Sequence, residues 1–292
     1  MDTYLMRDDA PLTAEEWTHL DELVVQAARK VLVGRRFLPL TGPLGVGVQT
    51  VPVDTVAWSK GCVHYTGADI CSEEECDCDC DCEPVVLADR AYLPLPLLHK
   101  DFLLSWRDMA AARQTGGPLD LFVAAGAAAA VALTEDELIF KGNAAHGLPG
   151  LLTAAGTRVA LANWGKVEAA FKNVAQAREA LVGQGFYGPY ALVLSPDLYA
   201  AVQRIMPNAG RLEIQFLADL ATLGVLQAPA LPARSALLVA AGPENLDLVV
   251  AQDLTTAYLG PVGMDHAFRV LESLVLRVKQ PGAICLLQPG EA

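Results

Sequence analysis

Residues 118–142 read PLDLFVAAGAAAAVALTEDELIFKG, and the fold turns on what this stretch becomes. Pro118 suits the first position of a helix, where the N–H it lacks would have no partner anyway. Asp120 places negative charge in the first turn, at the positive end of the helix dipole. Alanine is the strongest helix former, and four stand in a row at Ala127, Ala128, Ala129 and Ala130. Lys141 and Gly142 supply a C-terminal charge and a left-handed stop. The pattern predicts one helix over 118–142, roughly 33–35 Å long at about 1.5 Å per residue. Its middle is small on nearly every side, so other backbone packs close. Thr134-x-x-Glu137 has the form of a capping box and marks the one place where a second helix would start. The composition is that of a buried core helix without chemistry of its own, the spine of the architecture.

Upstream of the spine, residues 12–34 form a second helical signal. Thr13 and Glu16 make a capping box, and Leu12 with Trp17 a hydrophobic staple. Trp17, Leu20, Val24, Ala27 and Val31 recur at helical spacing as one apolar stripe, and Gly34 closes it. Short strands are expected at Val46, Val48 and Thr50 and at Val51 and Val53. Between Trp58 and Glu83 periodicity gives way to glycine, acids and cysteine, which reads as a long loop. Residues 85–104 are apolar again, with Pro94 and Pro96 inside, as in an edge strand or extended arm.

Downstream, Gly147, Pro149 and Gly150 break the chain. Asn163 is expected to cap a helix with the stripe Trp164, Val167, Phe171, Val174 and Leu181, carrying a Glu168–Lys172 pair. A strand at 190–194, a helix from Ser195 to Ile205 and another over 211–223 continue an α/β alternation. The remainder is strand-rich, with short β runs expected at Leu237 to Ala240 and Leu246 to Ala251. In 268–278 the residues Phe268, Val270, Leu274, Leu276 and Val278 share a face, and Arg269 and Arg277 lie opposite, interrupted by Leu271 and Val275. Pro281-Gly282 turns the chain into a last strand over 283–287.

Composition bounds the function. Hydrophobic residues make up 53% of the 292 and charged residues 19%, and mean hydropathy is +0.32. That much apolar surface needs cover, within the chain or between subunits. No apolar run reaches the roughly 18–20 residues of a membrane span. The start, MDTYLMRDDAP, carries no apolar signal segment, so a cytoplasmic protein is expected. A net charge of −13 argues against nucleic acid and anionic membrane as partners.

Few motifs carry chemistry. Gly183-x-Gly185-x-x-Gly188 fits a dinucleotide loop in letters only, since it follows a helix and precedes a strand, the reverse of the required order. His19, His64, His99, His146 and His266 are scattered. The local oddity is the run Cys76, Cys78, Cys80 and Cys82 alternating with aspartate, with Cys71 before it. In a straight strand neighbouring thiols would stand about 6.6–7 Å apart, too far for a disulfide between them. Three readings follow: a solvated reduced loop, a soft-metal site for Zn or Cu to which Cys62 and His64 add ligands, or a cross-link between subunits.

Several stretches together resemble the encapsulins, the nanocompartment shell proteins also known as linocin-like bacteriocins. The run from Ala10 to Trp17, with Gly34-Arg35 and Gly42-Pro-Leu-Gly45, is similar to their opening helix and turn. Residues 135–142 with Gly147 and Gly150 resemble the end of their spine helix, Gly188 to Ser195 their next strand, and Gln252-Asp-Leu254, Tyr258 and residues 272–287 their C-terminal part. The order is kept over nearly the whole chain. The resemblance implies an α+β fold of the tailed-phage major-capsid type. Its parts would be an N-terminal helix and arm at 1–45, an extended loop with the Cys-rich insertion at 46–104, a peripheral domain at 105–153 and 234–292, and an axial domain at 154–233. It implies an icosahedral shell of roughly sixty subunits or a multiple, without catalysis of its own or a required cofactor. The shell would enclose cargo, commonly ferritin-like proteins or peroxidases, held through short C-terminal targeting peptides. The matching positions for the peptide pocket are Val24, Ala28, Val31, Arg35, Asp253, Thr256 and Tyr258, and Pro39 stands where an acid is common. Pro207, Asn208, Ala209 and Gly210 fall at the five-fold pore. Cys71, Cys76, Cys78, Cys80 and Cys82 fall in the loop that overlaps neighbours, where many copies raise effective concentration for metal or cross-link. The rival readings are a phage-derived capsid protein that packages nucleic acid and a metal-sequestering or redox protein using the Cys-rich loop.

Overall fold

A computed structural model describes residues 3–56, 87–207 and 210–290. In chain order, helix α1 (Ala14–Val31) leads to strands β1 (Leu40–Thr41), β2 (Thr50–Val56), β3 (Leu87–Pro94) and β4 (Leu97–Leu104). Then come α2 (Trp106–Thr115), the spine α3 (Phe122–Lys141), α4 (Leu151–Ala154), β5 (Thr157–Ala160), α5 (Ala169–Gly183), β6 (Tyr190–Leu194), α6 (Pro196–Ala201), α7 (Glu213–Leu220) and β7 (Val225–Gln227). Strands β8 (Ala236–Ala240), β9 (Leu246–Val262), β10 (Asp265–Val278) and β11 (Ile284–Gln288) close the chain.

The spine is one unbroken helix of 20 residues, shorter than the sequence pattern predicts. At about 1.5 Å per residue it spans roughly 30 Å. Pro118 and Asp120 lie before it: the Asp120 carboxylate accepts the Phe122 N–H at 3.0 Å, and Leu119 and Leu121 are already buried, so the chain enters in an extended turn. Thr134 starts no second helix. Its hydroxyl donates back to the Ala130 carbonyl at 3.0 Å, and Glu137 pairs with Lys141 along the surface.

Helix α1 starts at its expected capping box: the Glu16 N–H donates to Thr13 Oγ1, and the Thr13 N–H donates to Glu16 Oε2. Leu20 and Val24 pack against Ala124, Ala127, Ala128 and Val131 of the spine, and Ala28 against Ala132. The alanines let the two helices approach closely. Gly34 does not end α1, which stops at Val31; it opens a tight turn under the spine, where a Cβ would lie 2.6 Å from Ile139 Cδ1.

Among the described residues one sheet has the order β1-β9-β10-β4 and another β5-β11-β8-β6-β7, while β2 and β3 form a separate antiparallel ladder. β9 and β10 are a long hairpin paired from Asp265↔Val262 to Val278↔Leu246, with register shifts before Phe268 and on either side of Ser273. Phe268 and Val270 face the spine, while Leu271 meets Leu5 and Ala257, and Val275 meets Val51, Leu93 and Val249. Both faces of β10 are therefore covered, which explains why Leu271 and Val275 interrupt the polar side. In the five-stranded sheet β6 and β8 are buried throughout. Ala191, Val193, Leu237 and Val239 join the core beneath Ile139 and Phe140, and the alternate residues pack under α5 and α7. The segment 154–233 does not build this sheet alone: β8 and β11, from 234–292, lie between β5 and β6.

Other expectations need correction. The helix expected from Asn163 begins at Ala169. Residues 163–168 are a loop, and Asn173 lies inside, accepting from the Trp164 indole at 3.0 Å and the Ala162 N–H at 2.8 Å. The helix from Ser195 ends at Ala201, and Ile205 is an exposed residue bridged to Leu212. Val46 and Val48 precede the strand, which starts at Thr50. Of the apolar stretch expected as one arm, residues 87–104 divide into β3 and β4 across Leu95-Pro96.

Candidate functional site

The turn after α1 is where four elements meet. Asp136 of the spine accepts the N–H groups of Val33 and Gly34, both at 2.9 Å, so a buried carboxylate caps the exit of α1. Beside it, the Arg35 guanidinium reaches Glu135 of α3, Asp253 of β9 and Glu272 of β10, each at 2.7 Å. Glu135 and Glu272 are sealed from solvent, and Asp253 is open. Burial lifts the Asp136 carboxyl to about 6 against the pull of its backbone donors. Burial, then the charge of Glu135, pushes Glu272 up to about 9, with Arg35 opposing. Burial disfavours the charge on Arg35 itself, but the hydrogen bonds and charges of its acids outweigh this and hold its pKa above the ordinary value. Burial works against ionised Asp253 too, and the Arg35 hydrogen bond overcomes it, keeping that carboxyl below its usual range.

This hub forms one wall of a concavity of about 390 Å³. Val25, Ala28, Leu32, Leu40 and Leu254 give it an apolar floor, and Arg29, Arg35, Arg36 and Asp253 a charged rim. Of the residues expected at a peptide pocket, the structure brings Ala28, Arg35 and Asp253 together here. Val24 points into the core with Leu20 and Phe268. Thr256 is fully buried, and Tyr258 is buried with its hydroxyl 2.8 Å from His266 Nδ1. Val31 lines a different cavity of about 730 Å³, with Lys30, Leu133 and Tyr199, beside strand β7. On the pocket side α1 presents half-buried Val25 and exposed Arg29 beside buried Ala28, with buried Leu32 just past its end, whereas Val24 and Ala28 of the expected stripe pack on the spine.

Pro207 and Gly210 stand at the top of a closed stem, and Asn208 and Ala209 lie outside the described residues. The stem is pinned by the Met206 N–H to the Arg211 carbonyl at 2.9 Å and by Arg204, whose guanidinium meets buried Glu213 at 2.6 Å and the Gly165 carbonyl at 3.0 Å. Cys71, Cys76, Cys78, Cys80 and Cys82, with Cys62 and His64, lie outside the described residues. Among the described residues no cluster of His, Cys, Asp and Glu has the arrangement to hold a metal ion. Nor is any helix among them long and apolar enough to cross a membrane.

Sequence reasoning missed Glu135, Asp136 and Glu272. The signal was present. Asp136 falls on the helical stripe of Ala128, Ala132 and Ile139, and Glu272 shares the parity of Phe268, Val270 and Leu274. An acid on an apolar face needs a partner in the core.

Comparisons with known proteins agree with this architecture. The capsid of Myoviridae phage XM1 superposes with a TM-score of 0.63 over 88% of this chain and 90% of its own, at 12% identity. A virus-like particle from Pyrococcus furiosus superposes with a TM-score of 0.72 over 94% of this chain and 99% of its own, at 23% identity. The fold is that of the tailed-phage capsid subunits. A family model described as "Encapsulating protein for peroxidase" matches residues 1–275. The type 1 encapsulin shell protein EncA of Myxococcus xanthus is 46% identical over 100% of this chain and 99% of its own. The chain belongs to the encapsulin family of shell proteins.

Proposed function

We propose that this chain assembles with copies of itself into a closed icosahedral shell of roughly sixty subunits or a multiple. The shell encloses a cargo enzyme and holds it by a short C-terminal peptide. The observation that carries the reading is the 46% identity to an encapsulin shell protein along the full chain. The single chain also leaves large apolar side chains in water, among them Phe122, Met264, Tyr92 and Val262, which neighbouring copies would cover. Cargo of the peroxidase class is favoured by the family description. Catalysis belongs to the cargo and the particle to the cytoplasm; the shell needs no cofactor. Gel filtration and negative-stain microscopy of native material test this. Hollow particles of uniform size are expected, and a peak at the size of one chain or a dimer would sink the reading.

The peptide is assigned to the concavity between α1 and β9, because it joins an apolar floor to a charged rim at the spine's fixed end. A peptide there buries its own apolar residues against Val25, Leu40 and Leu254. Val25→Glu with Leu40→Glu introduces charge at two surface positions of that floor. Shells of this variant are expected to form normally and to bind cargo peptide at least roughly tenfold more weakly, about 1.4 kcal/mol. Unchanged affinity would move the peptide elsewhere.

A further inference from the structure

Three carboxyl groups share one guanidinium at Arg35, three negative charges against one positive if all are ionised. Asp253 reaches water, but Glu135 and Glu272 do not. Each of these two spends one oxygen on Arg35. Their second oxygens, Glu135 Oε2 and Glu272 Oε1, are buried and meet no donor. Two orphaned acceptors in one sealed site are costly separately. Arg35 holds them from Nε and Nη2, neighbouring donors of one guanidinium, at 2.7 Å each, so the two carboxyls lie beside each other, and a single proton between them satisfies both free oxygens and cancels one of the excess charges.

We propose that Glu135 and Glu272 hold one shared proton in the folded core, and that its loss in alkali is what unfastens the α1 turn from the spine. The pair joins α3 to β10, and through Arg35 it also ties in residues 33–36 and β9. The charged groups facing it are Arg35 from the turn, Asp136 from its own helix and Asp253 from β9. Arg36 and Arg29 act one step away, on Asp136 and Asp253. Removing the proton leaves two carboxylates against each other in a site closed to water. Arg35 is already committed to both, so the strain falls on the contacts around the turn.

The sign of the pH dependence follows from proton counting. Burial and Glu135 raise the Glu272 carboxyl from 4.5 to about 9, so across that interval the folded chain holds a proton that the unfolded chain has released. Stability then falls as pH rises and levels off above the folded value. Asp136 contributes in the same direction only up to about 6, and buried Cys285, lifted from 9 to about 12, only from about pH 8 upward, so the interval between isolates the pair.

The test uses assembled shells melted from about pH 6.5 to pH 8, as wild type, Glu272→Gln and Glu135→Gln. The amide keeps the shape, stays neutral and donates an N–H in place of the shared proton. Wild type is expected to lose roughly 3–5 °C in Tm per pH unit, one proton per subunit. Each glutamine variant is expected to lose about 1 °C or less per unit. Infrared spectra of wild-type shells at neutral pH should carry the C=O band of a buried protonated carboxyl, absent from Glu272→Gln. Equal slopes in wild type and variants, or no such band, would overturn the proposal. So would failure of both glutamine variants to fold, since a core that already holds a neutral carboxyl accepts a neutral amide at one of the two positions.

Discussion

Arg35→Ala is expected to destabilise the folded subunit by about 3–5 kcal/mol, the cost of stripping a buried ion group of its counter-charge. At roughly 2–4 °C per kcal/mol for a chain of this size, that is a fall in Tm on the order of 10 °C. The guanidinium is 16% exposed and makes three contacts of 2.7 Å to three different elements. Alanine leaves Glu135, Glu272 and Asp253 facing one another with no cation between them. Arg35→Lys keeps the charge but not the fork, and an ammonium cannot meet three carboxyls lying in different directions; a loss between wild type and alanine is expected. Lys172→Ala is the control. It removes a pair with Glu168 in which both partners are well exposed, a class of contact that contributes about 0–1 kcal/mol. Acid distinguishes lost charge from lost packing. Without Arg35 the folded state binds protons more readily, so the deficit of Arg35→Ala should shrink as pH falls through the carboxylate range. Thermal melts of assembled particles at about pH 5 and pH 8 check this. A Tm within a degree or two of wild type at both would remove Arg35 from its place at the centre of the fold.

The helices were legible wherever local chemistry decided them. Thr13 and Glu16 are three residues apart and make their box without help from elsewhere, and the alanines at 127–130 leave the spine little alternative to a helix. The order of secondary elements, and with it the capsid-like fold, followed from such signals and from the family resemblance. What escaped depended on distant residues. Trp164 reads as the first member of a helical stripe, yet its burial comes from a loop folded over Asn173. The long β9 reads as ending near Ala251, because Gln252 and Asp253 break the apolar run; in the fold the strand continues through an irregular step opposite Ser273, and Asp253 turns out to Arg35. The pocket flank of α1 was hidden for a related reason. A stripe tells which side of a helix is apolar, but only the spine's position tells which part of that side remains open.

Gly142→Ala is expected to cost about 4 kcal/mol, although it adds one methyl group to a helix end. The sequence identifies Gly142 as a left-handed stop, and its φ is +71°. Its ψ of −167° takes it beyond the left-handed helical region into conformations essentially reserved for glycine, where a side chain costs about 1–3 kcal/mol. Space is the second constraint. A Cβ at 142 would lie 2.5 Å from the Gly150 nitrogen and 2.5 Å from the Leu148 oxygen. Both are backbone atoms, so relief requires a shift of the chain, a strain worth about 1–3 kcal/mol more. That chain is held: Asn143 and Leu148 exchange hydrogen bonds of 2.8 and 2.9 Å, and Gly150 leads directly into α4 beneath the spine. Gly147→Ala, five residues on, separates the two costs. Gly147 also has positive φ, at +67°, but a Cβ there meets nothing within 4 Å, so only a backbone cost of about 1 kcal/mol is expected. Melting both variants as assembled shells, the first should lose several times as many degrees as the second. Equal losses would mean that the spine's end is fixed by torsion alone, and that the packing of residues 142 and 150 against each other does not set where the helix stops.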